Sequence, residues 1–385
     1  MVLFLKIVAG FFIAFLLLVV FVYYFIRWKF GNWIKKFADA MKEAFAGGVP
    51  PFRIHLRKRE PSEEEDEDDW VPRENREAFE EYCAEFESLG FIKLEDYFID
   101  EIAAQMRVFV DESTRTYGVV YSHPMLNVWC DIVRKFEDGT GWTFGLVKYH
   151  GMDSPPHSTH KFFPDESLAD MVAKFQQEAP REGAILVSKE DFPAFFEKEY
   201  AAEMDWRIER CGPTEQEVRR IADLDGQECT DQMVQQTQMQ WRLAIAEFQK
   251  ERVLKRYRKE AELDSFQWDY LQNYGVVVHH KMTAEELLNL YDEDYFPVHH
   301  MEIEEEDLDD EDIAQQTAWE KRLGELRTAL GKGSPQEVFR NMIELGNGSA
   351  THKWEFKKSV SDPVVADIWT RTYQDEENQN WDDED

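Results

Sequence analysis

The chain has 385 residues, of which 43% are hydrophobic and 14% aromatic, so it can form a packed core and is not a disordered chain. Its formal net charge is −34, but residues 1–59 hold ten Lys and Arg against two acids, a net of +8 that leaves −42 for the rest. Because so acidic a body repels phosphate groups, we expect no nucleic-acid partner.

The first predicted element is a transmembrane anchor with its collar, at residues 1–29. Ile7–Ile26 has no charged residue, and at ~1.5 Å per residue it is long enough to cross a hydrocarbon core of ~30 Å. A cleaved signal peptide is the alternative, but the bulky end of the run favours an uncleaved signal anchor. Since more Lys and Arg follow the span than precede it, the sequence predicts a single-pass membrane protein with a cytoplasmic C-terminal body.

An amphipathic helix is predicted next, at residues 30–46, lying in the membrane interface. Apolar and charged residues alternate there at helical spacing. The residues predicted to contact the interface are Trp28, Lys29, Trp33, Lys35, Lys36 and Phe37. The alternative is a helix packed on the main body. A charged linker is predicted at 47–73, where prolines interrupt any hydrophobic period and a basic run precedes an acidic one.

The predicted fold class is α+β. Residues 74–187 contain a helix, then short runs of strand character separated by turn signals such as Glu137–Gly141. Consecutive strands with short turns favour an antiparallel β-meander, and a later apolar helix pattern at Leu168–Phe175 would cover one face.

The rest of the chain is predicted to be mainly helical. Residues 188–263 form a helical region that includes a long helix at Asp231–Glu260. A small α/β-containing helical region follows at 264–373, where Gly275–His280 has the composition of a buried strand. The tail at 374–385 is acidic and predicted to be disordered.

The cysteines indicate no disulfide framework. Cys83, Cys130, Cys211 and Cys229 are widely spaced and contain no CxxC pair. This spacing favours free thiols in a reducing compartment, although an even number also permits two disulfides.

No signature of a common enzyme class is present, including the phosphate-binding, nucleophile-elbow, zincin and kinase motifs. The sequence therefore does not decide whether the chain is an enzyme, and it predicts no organic cofactor. A divalent metal is one hypothesis. His150, His157 and His160 cluster near Asp153, and imidazole with carboxylate is a chemically suitable ligand set.

A second histidine arrangement gives another metal hypothesis. The pairs His279–His280 and His299–His300 are adjacent residues, and neighbours on a strand point to opposite faces, so each pair supplies at most one ligand to a given site. If the two segments meet, one imidazole from each could join Glu302.

The sequence favours a non-catalytic protein that is anchored in the lipid bilayer and presents its acidic body to a protein partner. The alternative is a membrane-anchored, metal-dependent hydrolase that uses a histidine and carboxylate site. A third hypothesis is a subunit of a membrane complex, assembled through the helix at Asp231–Glu260.

Overall fold

The computed structural model describes residues 49–60, 70–149, 151–291, 310–345 and 352–373. The chain divides into two compact units between residues 244 and 245. Each unit is described by itself below.

A seven-stranded sheet forms the centre of the first unit. Its strands lie side by side in the order in which they follow along the chain, and all neighbours are antiparallel except the last two, which are parallel. The strands are β1 (Leu56–Lys58), β2 (Ile92–Ile99), β3 (Ala104–Asp111), β4 (Thr116–His123), β5 (Asn127–Lys135), β6 (Gly141–Gly145) and β7 (Ser158–Phe162).

Short polar turns connect the antiparallel strands, as the meander prediction requires. Between β3 and β4, the carboxylate of Asp111 accepts hydrogen bonds from the backbone N–H groups of Ser113 and Thr114. Between β5 and β6, Gly139 takes a φ of +80°, a conformation that glycine adopts without steric cost. These local bonds fix the order β3–β4–β5–β6.

Helices cover both faces of this sheet. Helices α1 (Arg76–Ser88) and α2 (Leu168–Glu178) bury their apolar stripes in one core with β5 and β6. On the opposite face, α3 (Phe192–Glu209) packs Phe192 into a second core formed by β2, β3 and β4. Helix α4 (Glu215–Leu224) follows and begins with a capping box.

Part of the predicted linker belongs to this sheet. Within residues 49–60, the side chains of Phe52, Ile54 and Leu56 are buried, an alternation typical of a strand with one apolar face. Of the basic residues between them, Arg53 pairs with Asp205 at 2.6 Å. Acids of β2 and the turn after it pair in the same way with Arg57, Lys58 and Arg59. The short strand β1 is thus an edge strand of the sheet, and the basic residues around it are paired within their own unit.

The second unit has a three-stranded antiparallel sheet with β10 in the middle. Helix α5, which contains the boundary between the units, contributes its second half to a core on one face of the sheet, and α7, α8 and α9 form a core on the other. The elements are α5 (Asp231–Glu260), α6 (Ser265–Tyr274), β8 (Gly275–His279), α7 (Ala284–Tyr291), α8 (Asp310–Leu330), α9 (Pro335–Glu344), β9 (His352–Val360) and β10 (Ala366–Tyr373).

The membrane-spanning part of the predicted fold is corrected here. Across the described residues, no helix combines the length and the apolar character that a bilayer crossing demands. Even α5, with 30 residues, carries charged side chains throughout its second half. What the structure supports is an α+β chain with a mostly antiparallel sheet.

We therefore no longer propose a transmembrane helix, a signal anchor or a single-pass location with a cytoplasmic body. The predicted anchor, the interfacial helix and the residues Trp28, Lys29, Trp33, Lys35, Lys36 and Phe37 all lie outside the described residues, as does the tail at 374–385.

Candidate functional site

A cleft opens between α3 and the adjacent face of the seven-stranded sheet. Its volume is about 220 Å³, and its walls come from β4, β5, β6, β7, α3 and the loop before β7. Six aromatic rings line it, those of Tyr117, Tyr121, Phe192, Phe195, Phe196 and Tyr200. Polar side chains interrupt this aromatic lining at a few places, a composition typical of ligand-binding pockets.

Strand register determines which side chains form the floor. Alternate residues of a strand share a face, so Asp131, Val133 and Lys135 of β5 all point toward the cleft. Val133 pairs directly with Thr143, and Thr143 pairs with His160 of β7. The parallel pairing of β6 with β7 thus brings His160 onto the same floor.

Asp131 occupies an unusual place on this floor. Its partner across the β5–β6 ladder is Gly145, and a Cβ added to Gly145 would lie only 2.6 Å from the Oδ1 atom of Asp131. Because Gly145 has no side chain, the carboxyl group of Asp131 can occupy this space. Within the described part of the chain, the carboxyl group of Asp131 forms no hydrogen bond and no ion pair.

Burial raises the pKa of Asp131 to about 7, because surrounding protein atoms disfavour its charged form. The residue nevertheless keeps part of its surface in the cleft. Its carboxyl group is therefore enclosed by protein but open to a molecule that enters the cleft.

The other two carboxylates of the cleft are already paired. Both come from α3, where Glu199 and Glu203 lie one turn apart on the face that carries Phe192 and Phe196. An oxygen of Glu199 lies 2.7 Å from Nζ of Lys135, and Nη2 of Arg207 donates to Glu203 at 2.6 Å. Their charges are balanced inside the unit.

Several of the aromatic rings are held in place by their own contacts. The hydroxyl of Tyr200 donates to the carbonyl of Pro51 at 2.7 Å. Tyr121 stacks on Trp129 with ring centroids 4.9 Å apart, and Tyr117 lies 5.5 Å from Phe192. The walls are therefore largely preformed.

The structure brings two of the three predicted metal ligands together. His157 and His160 both line the cleft, His157 from the loop and His160 from β7, while His150 lies outside the described residues. Burial is the largest cause of a lowered pKa for His160, with Lys135 and Arg207 acting in the same direction and Glu203 opposing them. Neutral imidazole is the form that binds metals.

No group of three or more His, Cys, Asp or Glu residues suited to a metal ion occurs in the described ranges. Only part of the second histidine hypothesis falls within those ranges. His279, the last residue of β8, is buried, and His280, which follows it, is exposed; His299, His300 and Glu302 lie outside.

The cysteines do not contribute nucleophiles to the cleft. None of the four forms a disulfide. Cys83 and Cys130 are buried together in the core on the other face of the sheet, and burial raises the pKa of both, that of Cys83 to about 12. A thiol with so high a pKa is inert at neutral pH.

The sequence did not single out Asp131, Lys135, Glu199 or Glu203. Two signals were available: a carboxylate inside an otherwise strand-like run, and acids spaced one helical turn apart behind the aromatic start of α3. The two signals could not be connected to one site, because sequence alone does not show that β5 faces α3.

We found no protein family, no curated protein and no solved structure to which this chain is similar.

Proposed function

We propose that the first unit is a recognition domain whose cleft binds one side chain of a protein partner. The observation that carries this proposal is the aromatic cleft of about 220 Å³ between α3 and the sheet. Aromatic side chains that line a preformed pocket are typical of the anchoring points of protein interfaces.

The size of the cleft favours a side chain over a cofactor. A cavity of ~150 Å³ holds one benzene ring, so by scaling this cleft has room for roughly nine non-hydrogen atoms. Pockets for drug-sized ligands and cofactors start at about 300 Å³. The strongly acidic body adds a long-range attraction toward basic proteins, which raises the rate of their association.

A selection experiment tests the proposal. A displayed library of random heptapeptides is selected on the full-length chain and counter-selected on Ala202→Trp, which places an indole in the cleft from an exposed position of α3. The matched control is Ala173→Trp, the same change at an exposed position of α2, which packs on the other face of the sheet.

We expect peptides that bind the wild-type chain and Ala173→Trp but bind Ala202→Trp at least about tenfold more weakly, because an anchoring residue contributes 1.4 kcal/mol or more. If every enriched peptide binds the three proteins equally, the cleft is not the recognition site and the proposal is wrong.

A metal-dependent hydrolase is the second candidate, favoured by the presence of His157 and His160 in one cleft. Two imidazoles are fewer than the three protein ligands of a catalytic zinc site, so a third ligand would have to come from His150 or from a carboxylate of the cleft.

Metal analysis of the purified full-length chain tests this candidate. If it is right, zinc or manganese is present in stoichiometric amount, and the double variant His157→Ala/His160→Ala loses it. The control His280→Ala removes an exposed histidine of the second unit and should keep the metal. Metal retained by the double variant would exclude this site.

A further inference from the structure

We infer that the side chain bound in the cleft is a basic one, whose ammonium or guanidinium group pairs with Asp131 between aromatic rings. This inference rests on the proposed function, because it names the chemistry of the partner's side chain.

The first argument is the balance of charge in the cleft. Three carboxylates line it, and two of them have cationic partners within the unit: Glu199 pairs with Lys135, and Glu203 with Arg207. Asp131 alone has no such partner among the residues that the structure describes. When Asp131 is ionised, the cleft therefore has one unbalanced negative charge, which matches a ligand with one positive charge.

The second argument is the cost of an enclosed carboxylate without a partner. Proteins pair their buried charges, because an unpaired one is strongly unfavourable in a poorly hydrated site. The raised pKa of Asp131 reflects this cost in the free protein. A cation that enters the cleft supplies the missing partner, so its binding is favoured by the relief of that cost.

The third argument is the chemistry of the walls. The faces of aromatic rings attract cations, and this attraction is larger where water is excluded. Tyr121, which lies on β4 near Asp131, is one such ring. Burial raises the pKa of its hydroxyl, and the charge of Asp131 adds to this effect. Phe192, Phe196 and Tyr200 supply further rings from α3. Methylene groups of a long basic side chain would pack on the same rings.

The location of Asp131 adds a geometric argument. Gly145, opposite it, leaves the carboxyl group unobstructed on that side, and any larger residue would collide with it. The carboxyl group is thus positioned on the cleft floor, and no group of the described residues donates to it.

Binding of three small probes to the full-length chain, followed by ligand-observed NMR at millimolar concentrations, tests the inference. The probes are N-acetyl-lysine N-methylamide, its uncharged analogue N-acetyl-norleucine N-methylamide, which lacks the terminal nitrogen, and n-butylamine, which represents a free amine. The proteins are the wild-type chain, Asp131→Asn, Ala202→Trp and the control Asp223→Asn, which removes one exposed charge outside the cleft.

We expect the lysine probe to bind the wild-type chain at least about tenfold more tightly than the norleucine probe, as a hydrogen bond to a charged group contributes. Asp131→Asn should remove that preference, Ala202→Trp should remove binding, and Asp223→Asn should change neither. Tighter binding of the lysine probe than of n-butylamine supports a peptide-borne side chain as the ligand. The reverse order indicates a free amine and would overturn the inference.

Two further results would overturn the inference. One is equal binding of the lysine and norleucine probes; if Ala202→Trp still abolishes both, the recognition domain stands and only its charge preference is wrong. The other is a lysine preference that Asp131→Asn leaves intact. Failure of the proposed function itself would appear separately, as peptides that bind the Ala202→Trp protein unchanged.

Discussion

Two aspartates, one in each unit, show opposite solutions for a carboxylate inside a sheet. Asp367 on β10 is only 2% exposed, and its two oxygens accept hydrogen bonds from Nε of Arg340 at 2.8 Å and from the hydroxyl of Ser359 at 2.7 Å. Asp131 on β5 faces a cleft and has no such donors among the described residues. The first is built into the fold, whereas the second is left available. This difference teaches that an acid in a strand points to ligand binding only when its own unit leaves it unpaired.

The largest expected effect comes from removing the cationic partner of Asp367. Arg340→Met removes the guanidinium from Asp367 and leaves a buried charge with one hydroxyl partner, so we expect a loss of about 3 kcal/mol in the free energy of unfolding. Hydrogen exchange of the β10 amides, followed in urea, measures this loss within the second unit. The double variant Arg340→Met/Asp367→Asn should recover part of the stability. If Arg340→Met alone costs less than about 1 kcal/mol, the ion pair is not what stabilises Asp367.

The unpaired carboxylate of Asp131 should lower the stability of the fold when it is ionised, whereas the pairing of Asp367 raises it. Because burial raises the pKa of Asp131 from 3.8 to about 7, the folded chain binds a proton that the unfolded chain has released. Stability from this group is complete below about pH 4, falls as the pH rises toward 7 and is then constant. The other titratable groups that line the cleft are Tyr117, Tyr121, Lys135, His157, His160, Glu199, Tyr200 and Glu203.

Asp131→Asn removes the ionisable group and with it the fall in stability at high pH, so this variant should be more stable than the wild-type chain at pH 8. The full shift corresponds to about 4 kcal/mol, and since water in the cleft screens the carboxylate, we expect roughly half of that. Thermal unfolding from pH 5 to pH 8 measures the difference, with Asp223→Asn as the control. A difference that does not grow with pH would mean that Asp131 titrates as an ordinary exposed acid.

The affinity for a cation should also follow the titration of Asp131, but it should rise with pH where the stability falls. The ionised form of Asp131 binds the lysine probe, so affinity should rise by up to about tenfold per pH unit toward pH 7 and then level off. His160, whose pKa is lowered by burial, gains charge only at lower pH and steepens the fall there. Titrations at several pH values measure this, and Asp131→Asn should show only the weaker His160 contribution. A flat profile in the wild-type chain would separate Asp131 from the ligand.

Local patterns in the sequence predicted much of the fold. Turn signals and strand-like runs predicted the antiparallel order of β3, β4, β5 and β6, and the class α+β follows from them. Three helices begin at capping boxes, a pattern of two residues three positions apart, at Thr214, Thr283 and Ser334. All of these depend on residues close together in the chain.

Long-range pairing was not predictable in this way. The run Ser158–Phe162 has no apolar alternation, yet it pairs in parallel with β6 and brings His160 to the cleft. The register that places Asp131 opposite Gly145 likewise depends on two strands and the turn between them. The candidate site is formed by such long-range pairings. Its residue types could be seen in the sequence, but their proximity in space could not.

The smallest expected effect tests that register directly. Gly145→Ala would place a Cβ 2.6 Å from Oδ1 of Asp131 and 3.3 Å from Cγ1 of Val147, so the carboxyl group must turn away. We expect affinity for the lysine probe to fall by about fivefold, equivalent to about 1 kcal/mol. The control is the same change in the Asp131→Asn background, where no carboxylate remains to be displaced, so Gly145→Ala should change the affinity there by less than about twofold. Equal losses in the two backgrounds would show that strain in β6, and not the position of the Asp131 carboxyl group, controls binding in the cleft.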